Sequence, residues 1–493
     1  MYEIIEKINT AINNVVWGIP MILLILCTGI YLTIRTKFFQ ITKAKAVCNE
    51  TIGGMLKKDK RKTKEKNAIS QFQALCTALS ATIGTGNITG VASAILTGGP
   101  GAVFWMWVSA FFGMMTSYSE KVLGIYYRRK NSDGEWCGGA MYYLSDGLGS
   151  KKGMKKVGKL LSVLFSIFCI FASFGIGNMT QINNISGNMK KAFGIPELAT
   201  GIILMIIASL IIIGGIKRIA SVTEKIVPIM ASLYIIGSLT IIFTHYEAIL
   251  PSFKAIFTLA FSVKAVAGGI IGTFIKKVIV SGFQRGIFSN EAGLGSSVIV
   301  HSASNVKEPV KQGMWGIFEV FFDTIIICTM TALVILTTPN IINLEDGTHL
   351  REGLSNSTLV NDAFSNTFGQ AGTVFIAIAI LMFSFSTVIG WSYYGTKSFE
   401  YLFGSKAIIG YKIVFSIAVI GGAVMGENLA WSISDTLNGL MAIPNLIGVI
   451  SLSGIVIKIT ENYVSRHFKG QNIQPMLSAI PEIQKEHEET LNV

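Results

Sequence analysis

Long apolar runs alternate with short polar stretches along the chain, and the length of these runs sets the fold class. Runs such as IPMILLILCTGIYLTI and IFEVFFDTIIICTMTALVIL reach or approach the ~20 residues that an α-helix needs to cross a bilayer. The pattern predicts an all-α polytopic membrane protein with about 11 transmembrane helices. The predicted spans lie near residues 13–34, 70–96, 100–127, 158–186, 196–216, 219–245, 264–304, 312–338, 371–401, 406–426 and 431–459.

Two of the predicted spans carry helix-breaking residues within their apolar sequence. The span 70–96 contains Gly84-Thr85-Gly86-Asn87. Glycine costs about 1 kcal/mol relative to alanine inside a helix, and asparagine prefers caps and turns. The span 264–304 is too long for one straight helix, and its RGIFSNEAGLGSS follows an amphipathic lead-in, IIGTFIKKVIVSGFQ. We therefore expect a broken helix in each of these spans.

The positions of the two breaks predict an inverted repeat. Ten spans remain when the first is set aside, and they divide into two halves of five. Because five is odd, the halves have opposite orientations in the membrane. Each break falls in the first span of its half, as in transporters built from inverted repeats. The predicted organisation is an extra N-terminal span with a basic cytoplasmic loop at 1–69, repeats at 70–245 and 246–460, and a cytoplasmic polar tail at 461–493.

The distribution of charge predicts the orientation of the chain. Only 14% of the residues are charged, against about 25% in soluble domains, and the formal net charge is +13. Lys and Arg concentrate at 43–66, after the third span in YYRRK and SKKGMKKVGK, and after the fifth in IKRIASVTEK. Since Lys and Arg collect in cytoplasmic loops, we expect a multi-pass cell-membrane protein with its N-terminus outside and its C-terminus in the cytoplasm. The same charges suit an anionic lipid surface, and nucleic acid is not an expected partner.

The N-terminal sequence and the cysteines lead to two further expectations, about a signal peptide and about disulfides. MYEIIEKINTAINN lacks a basic n-region and a small-residue cleavage site, so we expect no removable signal peptide. The six cysteines are scattered without metal-like spacing. This spacing predicts no disulfide framework.

A helix broken inside the membrane offers polar groups that an intact helix does not. Unpaired backbone groups are tolerated at that depth only where protein or a water-filled cavity satisfies them. Freed N–H groups, with the positive end of the following half-helix, suit a carboxylate. Freed carbonyls suit a sodium ion or an ammonium group, so the pattern favours an amino acid and sodium as ligands. The alternative is that Gly86 and Gly90, a G-x-x-x-G pair, only pack helices closely.

Six blocks of the sequence resemble, in order, the alanine or glycine:cation symporter family. The resemblance implies an amino acid transporter superfold with five-plus-five inverted repeats and alternating access. It also implies symport of small neutral amino acids such as alanine and glycine into the cell, driven by sodium. Thr396 departs from the pattern, because the family often places an acidic residue there. The blocks are IGTGNITGVASAILTGGPGAVFWMW, FGIGNMTQINNISG, RGIFSNEAGLGSS, QGMWGIFEVFFDTIIICTMTALVI, FSFSTVIGWSYYG and DTLNGLMAIPNLIGVISLSG.

The expected substrate-binding residues come from both breaks and from two other spans. Gln181 is a neutral amide that can bond to either end of a zwitterion, or can serve as interhelical glue worth ~0.6 kcal/mol. Trp391 and Phe174 are candidate pocket walls, although aromatic residues in a span more often only pack. The expected set is Gly84, Thr85, Gly86, Asn87, Gln181, Gly286, Phe288, Ser289, Asn290 and Trp391.

The pair Ser386-Thr387 is the expected side-chain source of sodium ligands. Consecutive hydroxyls on an apolar helix often bond only to the carbonyl four residues earlier. The resemblance implies instead that this pair faces carbonyl oxygens of Ser80 and Ile83 in the first broken helix. An all-oxygen ligand set suits such a hard cation, and no other cofactor is expected.

Asp323 lies near the middle of the span 312–338 and is the main candidate for proton coupling. A charged, unpaired carboxylate there costs ~2.5–3.5 kcal/mol. It can carry a coupling proton, sharing it with Glu319 one turn earlier, or be a protonated or locally paired acid between helices. A proton-coupled amino acid carrier is therefore the alternative function. Glu120, Arg128 and Arg129 are predicted to be anchors at the membrane boundary.

Two other classes of function have less support. An integral membrane enzyme is not indicated, because the chain lacks H-E-x-x-H, G-x-S-x-G and Walker-type motifs and its five histidines are not clustered. A channel needs an open pore with repeated filter elements. Two dissimilar broken helices favour a single alternating-access site over such a pore.

Overall fold

The computed structural model describes residues 2–57, 63, 65, 67–261, 271–349, 353–425 and 427–491, and in these residues the chain is almost entirely helical. Arg129–Lys130 and Trp136–Cys137 form a small antiparallel hairpin, β1–β2. The helices are α1 Tyr2–Val16, α2 Ile19–Arg35, α3 Phe39–Thr42, α4 Ala44–Glu50, α5 Ile52–Met55, α6 Gln71–Thr82, α7 Val91–Gly98, α8 Gly101–Tyr126, α9 Ala140–Tyr142, α10 Lys155–Phe174, α11 Thr180–Phe193, α12 Glu197–Ile213, α13 Gly215–Thr244, α14 Ile249–Leu259, α15 Ile271–Asn290, α16 Val298–His301, α17 Pro309–Val320, α18 Thr329–Thr337, α19 Asn356–Phe368, α20 Gln370–Phe403, α21 Ile408–Val424, α22 Glu427–Ser451, α23 Ser453–Lys469 and α24 Pro481–Leu491.

Short π-helical and 3₁₀ segments join several of these helices. The π-helical segments are Gly86–Gly90, Tyr143–Leu148, Gly175–Met179 and Phe321–Cys328. π-Helical turns are rare and occur frequently at functional sites. Three of the four lie inside predicted spans, so the described backbone is irregular within the apolar segments themselves. Tyr246–Ala248 and Ser405–Ala407 form 3₁₀ turns.

The number of membrane-crossing helices depends on how bent helices are counted. In the described ranges, six helices are long and apolar enough to cross a bilayer, or eight if each of two bent pairs is one span. Each of the eleven predicted spans overlaps a helical segment, but α12 is short and the start of 264–304 lies outside the described residues. The chain is a polytopic all-α membrane protein, and the count of eleven stays a prediction.

The distribution of apolar side chains agrees with a lipid environment. Long aliphatic side chains point outward on the peripheral helices, for example Leu210 on α12, which is 60% exposed, and Ile236 on α13, which is 65% exposed. In contrast, many Ser, Thr, Asn and Gln side chains are fully buried between the helices. Polar groups inside and apolar groups outside are what a membrane-embedded protein requires.

The first expected helix break is present at the predicted residues. α6 begins with a capping box at Ser70 and ends at Thr82. The backbone leaves the helix at Ile83 and Gly84, and the π-helical segment Gly86–Gly90 then leads into α7. The two half-helices are bent by 53°.

The second break occupies only the later part of the predicted stretch RGIFSNEAGLGSS. α15 stays helical through Asn290, so Gly286, Phe288, Ser289 and Asn290 occupy its last turns and not an unwound segment. The chain unwinds over 291–297, where Gly293 and Gly295 have φ of 94° and 73°. Such left-handed angles favour glycine. Gly286 is needed for close packing, because a Cβ there would lie 2.4 Å from Ser109 Oγ on α8.

The polar C-terminal segment is folded against the rest of the protein. After α23, the chain runs extended to α24, and Ala479 N–H donates to the carbonyl of Tyr126 at 2.8 Å. Ile483 on α24 packs on Trp136 of the β1–β2 hairpin, and Lys130 pairs with Glu486 at 2.9 Å. The segment therefore covers the side of the bundle on which α8 ends.

Candidate functional site

At the first helix break, two backbone N–H groups bond to side chains and not to helix carbonyls. The Gly84 N–H donates to Asn87 Oδ1 at 3.1 Å, and the Thr85 N–H donates to Gln181 Oε1 at 3.3 Å. In an intact helix these groups would bond to the carbonyls of Ser80 and Ala81. The break thus presents amide donors on one side and frees carbonyl oxygens on the other.

Asp323 connects the two broken helices through hydrogen bonds. Its Oδ1 accepts from Asn87 Nδ2 at 2.7 Å, and its Oδ2 accepts from Ser289 Oγ at 2.8 Å. Thr324 Oγ1 also donates to Oδ2, at 2.8 Å, and itself accepts from Asn290 Nδ2 at 3.0 Å. Asp323 and Thr324 lie on the π-helical segment Phe321–Cys328. The residues expected from the first and second breaks therefore meet around one buried carboxylate.

The approach of the two broken helices leaves little space beside Gly86. A Cβ at Gly86 would lie 3.2 Å from Ser289 Cα and 3.3 Å from Phe288 Cδ1. At Gly90 the nearest atom to such a Cβ is the Thr85 carbonyl oxygen at 3.8 Å. Close packing thus involves Gly86 but not Gly90, so the pair does not act as a G-x-x-x-G packing motif.

Gln181 contacts the first break, whereas Trp391 contacts the second. Gln181 Nε2 donates to the Ile176 carbonyl at 2.9 Å, which orients its Oε1 toward Thr85. Trp391 Nε1 donates to Glu291 Oε1 at 2.9 Å, in the unwound segment after α15. Phe174 packs edge-on against the ring of Tyr411 at 5.6 Å, so it belongs to an aromatic cluster.

The hydroxyls of Ser386 and Thr387 on α20 face the first break. Ser386 Oγ lies 3.3 Å and Thr387 Oγ1 lies 3.0 Å from the Ser80 carbonyl oxygen. Both hydroxyls also lie near the Phe383 carbonyl, at 2.8 and 3.1 Å, as the packing alternative requires. Ile83 is the C-cap residue that follows α6. The structure therefore brings the hydroxyl pair to the Ser80 carbonyl, next to the break.

Gly84 places this hydroxyl pair directly beside the amide donors. A Cβ at Gly84 would lie 2.4 Å from Thr387 Oγ1 and 3.2 Å from Gln181 Oε1. Only glycine fits between these two side chains without displacing one of them. The hydroxyl pair and the amide donors are consequently parts of one continuous polar site.

A buried ionic network next to the second break was not anticipated from the sequence. Glu120 is fully buried, and its Oε1 accepts from the N–H groups of Gly293 and Gly295 at 3.1 Å each and from Asn445 Nδ2 at 2.6 Å. The prediction that Glu120 is a boundary anchor is wrong. Its carboxylate instead holds the unwound segment in place. Its position beside a basic loop suggested a surface role, and only the tertiary structure brings its partners together.

Glu319 is engaged by basic groups rather than by Asp323. Its Oε2 lies 3.2 Å from Lys121 Nζ and 3.1 Å from His301 Nε2. The expectation that Glu319 shares a proton with Asp323 is wrong, because the Glu319 carboxylate is directed toward this pair.

The two arginines predicted to be anchors also have specific partners. Arg128 is buried, donates to the Ser302 carbonyl at 3.1 Å and stacks on Trp136 at 3.9 Å. Arg129 pairs with Asp146. Arg128 thus fixes the loop after the second break and is not a boundary anchor.

A polar cavity of about 300 Å³ adjoins α11 on the side away from the loop between α8 and α10. Asn184 and Asn188 line it, and they lie three and seven residues after Gln181. These spacings put all three side chains on one face of α11. A polar stripe therefore connects the first break with the cavity.

Comparisons with known proteins identify relatives of this chain. A family model described as the sodium:alanine symporter family matches residues 2–477. The chain is similar to the sodium/alanine symporter AgcS of Methanococcus maripaludis, with 44% identity over 465 residues, covering 94% of this chain and 97% of that protein. An uncharacterized transporter of Haemophilus influenzae is 43% identical over 464 residues, with the same coverage of 94% and 97%. A solved manganese transporter of Eremococcus coleocola gives a TM-score of 0.49 at 11% identity, covering 86% of this chain and 84% of that one.

Proposed function

Since the chain belongs to the sodium:alanine symporter family, we propose that its two helix breaks form one site for a small neutral amino acid and a coupling sodium ion. The protein is a sodium-coupled amino acid symporter and not an enzyme. The observation that carries the proposal is the junction of Asn87, Asp323 and Ser289, which joins the first break to the last turn of α15, next to the second break.

The donors at the first break fit the carboxylate of an amino acid. The Gly84 and Thr85 N–H groups now bond to the side-chain oxygens of Asn87 and Gln181. A substrate carboxylate can replace these oxygens, because it is a stronger acceptor for the same donors. The released amide oxygens would then accept from the substrate ammonium group. Both charged ends of the amino acid would then have hydrogen-bond partners at the first break.

The packing around Gly86 favours a small side chain on the substrate. Phe288 and Ser289 approach Gly86 so closely that a single added carbon atom would lie only 3.2–3.3 Å from them. Hydrogen or methyl fits such a restricted site better than a longer side chain. We therefore propose alanine and glycine as the substrates.

The sodium ion is assigned to the hydroxyls of Ser386 and Thr387 and the carbonyl oxygens of Ser80 and Ile83. Hydroxyl and carbonyl oxygens are suitable ligands for a hard cation. Thr387 also borders Gly84, so an ion at this position would fix the backbone that receives the substrate carboxylate. Such shared elements give coupling free energies of about 1–3 kcal/mol, and the coupling is reciprocal.

We propose alternating access between inverted repeats at 70–245 and 246–460, with the N-terminus outside. Residues 1–69 would add a span and a basic cytoplasmic loop, and 461–493 would lie in the cytoplasm. The Lys- and Arg-rich loops support this orientation. In this orientation, the cavity beside Asn184 and Asn188 opens on the outer side. The polar face of α11 would lead the substrate from there to Gln181.

A proton-coupled carrier is the second candidate, and Asp323 is the observation that favours it. Its carboxylate is fully buried and accepts bonds from Asn87, Ser289 and Thr324. A carboxylate that contacts both broken helices is well placed to link protonation to their movement. Both of its oxygen atoms are occupied by donors from these helices and from Thr324, however, and this favours a structural bridge.

Calorimetric titration of alanine into the purified protein tests the assigned site. Binding heat is expected in sodium chloride and absent in potassium chloride at equal ionic strength. Glycine should bind as well, whereas glutamine and D-alanine probe the size and chirality of the site. Equal binding of alanine in both salts would contradict the sodium assignment, and equal binding of glutamine would contradict the proposed size restriction.

A further inference from the structure

A second cavity, of about 450 Å³, lies between the turn that follows α2 and the end of α23. Four cationic residues line it, and Glu461 is the single carboxylate among the lining residues. The cations are Arg35, Lys37, Lys43 and Lys469. We call this the basic cavity. None of its residues belongs to the helix breaks or to the ionic network around Glu120.

Within the residues that the structure describes, the cations of the basic cavity are not held in ion pairs. In the described part of the chain, none of the four cations lies within 4.0 Å of a carboxylate oxygen in an ion pair. Lys43 Nζ instead lies 4.2 Å from the ring of Phe468, and the Arg35 guanidinium lies 5.7 Å from the ring of Tyr31. Because like charges converging in one cavity repel each other, a bound anion would be favourable there.

Both walls of the basic cavity are fixed by the same helix, α8. Phe39 is buried against the ring of Tyr118 at 5.1 Å, which secures the turn after α2. The Tyr118 hydroxyl lies 2.8 Å from Thr460 Oγ1, which secures α23. Thr42 Oγ1 further donates to the Lys37 carbonyl at 3.2 Å across the turn. The two walls of the cavity are thus held together by contacts within the protein itself.

Exposed apolar side chains lie on the elements that form the basic cavity. Ile34 and Ile41 are 57% and 56% exposed, and Phe38 and Phe468 are 43% and 45% exposed. A free phosphate ion would use the cations alone and make no contact with these apolar side chains. A phospholipid uses both, since its headgroup is anionic and its chains are apolar. We propose that the basic cavity binds the phosphate headgroup of an anionic phospholipid whose chains lie along this apolar rim.

The position of the basic cavity in the chain agrees with this ligand. Arg35 ends the first apolar span, at the predicted cytoplasmic side, and anionic lipids are enriched in the cytoplasmic leaflet. The bound lipid would join α2 to α23, two elements far apart in sequence. Lipid binding at the basic cavity does not depend on the transported solute. It can therefore be tested separately from the proposed substrate site.

Native mass spectrometry and thermal unfolding of the full chain in detergent test the proposal. The probes are dioleoylphosphatidylglycerol, dioleoylphosphatidylcholine and inorganic phosphate. The test variant is Arg35→Gln/Lys43→Gln/Lys469→Gln, which keeps most of each side-chain stem. The matched control is Lys152→Gln/Lys155→Gln/Lys156→Gln, which removes three charges from exposed positions near the start of α10.

Wild type and control should retain phosphatidylglycerol and unfold at a higher temperature in its presence. Each Lys or Arg near anionic lipid is worth about fivefold in affinity, so the test variant should bind about 100-fold more weakly. If that variant does not fold, Lys37→Gln alone should still lose about fivefold. Equal retention by test variant and control would overturn the site. Stabilisation by inorganic phosphate equal to that by the lipid would overturn the lipid assignment.

Discussion

At the scale of single residues, Asn87 has the largest number of roles in the proposed site. Its Oδ1 accepts from the Gly84 N–H, its Nδ2 donates to Asp323, and its own carbonyl accepts from Thr331 Oγ1 at 2.7 Å. One side chain therefore shapes the first break and, through Asp323, joins it to the second broken helix. Its amide is also the group that a bound amino acid would displace.

Replacing Asn87 with alanine should abolish measurable alanine binding while the protein still inserts and folds. Each buried polar partner left unsatisfied costs about 1–3 kcal/mol, so a lower unfolding temperature is also expected. Thr89→Val is the matched control, because the Thr89 hydroxyl donates to the carbonyl of Thr85, four residues earlier in the same stretch of chain. Calorimetry should show normal alanine binding for the control. Normal binding by Asn87→Ala would place the substrate site elsewhere.

Removing both hydroxyls with Ser386→Ala/Thr387→Val should raise the sodium concentration needed for half-maximal uptake by about tenfold or more. A loss of about 1.4 kcal/mol in ion binding is sufficient for that factor. Alanine affinity at saturating sodium should change less. Ser392→Ala/Thr396→Val, on the same helix, removes two hydroxyls that bond to α20 carbonyls and serves as control. An unchanged sodium requirement would show that the hydroxyls of Ser386 and Thr387 do not bind sodium and serve only in helix packing.

At the scale of helices, the glycines of the first break have separate tasks. Gly84 lies against Thr387 and Gln181, and Gly86 lies against the second broken helix, whereas Gly90 has space for a side chain. From their spacing alone, Gly86 and Gly90 are equivalent members of a G-x-x-x-G motif. They differ in the structure, because only Gly86 is closely packed against another helix.

Gly84→Ala should abolish sodium-dependent uptake, whereas Gly90→Ala should retain it. The added carbon at position 84 would lie 2.4 Å from Thr387 Oγ1, so either the ion ligand or the backbone must move. Uptake of labelled alanine by cells expressing equal amounts of each variant measures the difference. Equal activity of the two variants would show that the break does not form the site.

The unwound segment after α15 depends on Glu120. Glu120→Ala leaves the N–H groups of Gly293 and Gly295 without their acceptor, at about 1–3 kcal/mol each, whereas Asn445 Nδ2 keeps its bond to the Gly293 carbonyl at 2.8 Å. Glu120→Gln keeps an acceptor oxygen and should be less destabilising. Thermal unfolding in detergent compares the two variants. A smaller loss for alanine than for glutamine would contradict the proposed role of Glu120.

The sequence predicted the first break correctly because Gly and Asn are unfavourable inside an otherwise apolar helix. It also predicted that Ser386 and Thr387 face the broken helix near Ser80. The stretch predicted for the second break contains the unwound residues 291–297 but also helical residues before them. A glycine needed for close packing, such as Gly286, looks the same in sequence as one needed for a left-handed backbone, such as Gly293. The partners of Glu120 could not be predicted, because they come from segments more than 170 residues away.

At the scale of the whole molecule, transport requires that sodium and substrate stabilise the same arrangement of the two broken helices. The free energy released by the entry of one sodium ion is sufficient to drive accumulation of alanine. Moving one charge through ~100 mV releases ~2.3 kcal/mol, and a tenfold sodium gradient adds ~1.4 kcal/mol. Together these can sustain an alanine gradient of several hundredfold, on the order of 10^2.7.

Accumulation of radiolabelled alanine in proteoliposomes tests sodium coupling most directly. Sodium and proton gradients are imposed separately at the same membrane potential. An inward sodium gradient should drive accumulation above the external concentration, with no effect of a proton gradient alone, and the Ser386→Ala/Thr387→Val protein should lose this response. Accumulation driven by an inward proton gradient without sodium would contradict this mechanism and would identify Asp323 as the coupling group.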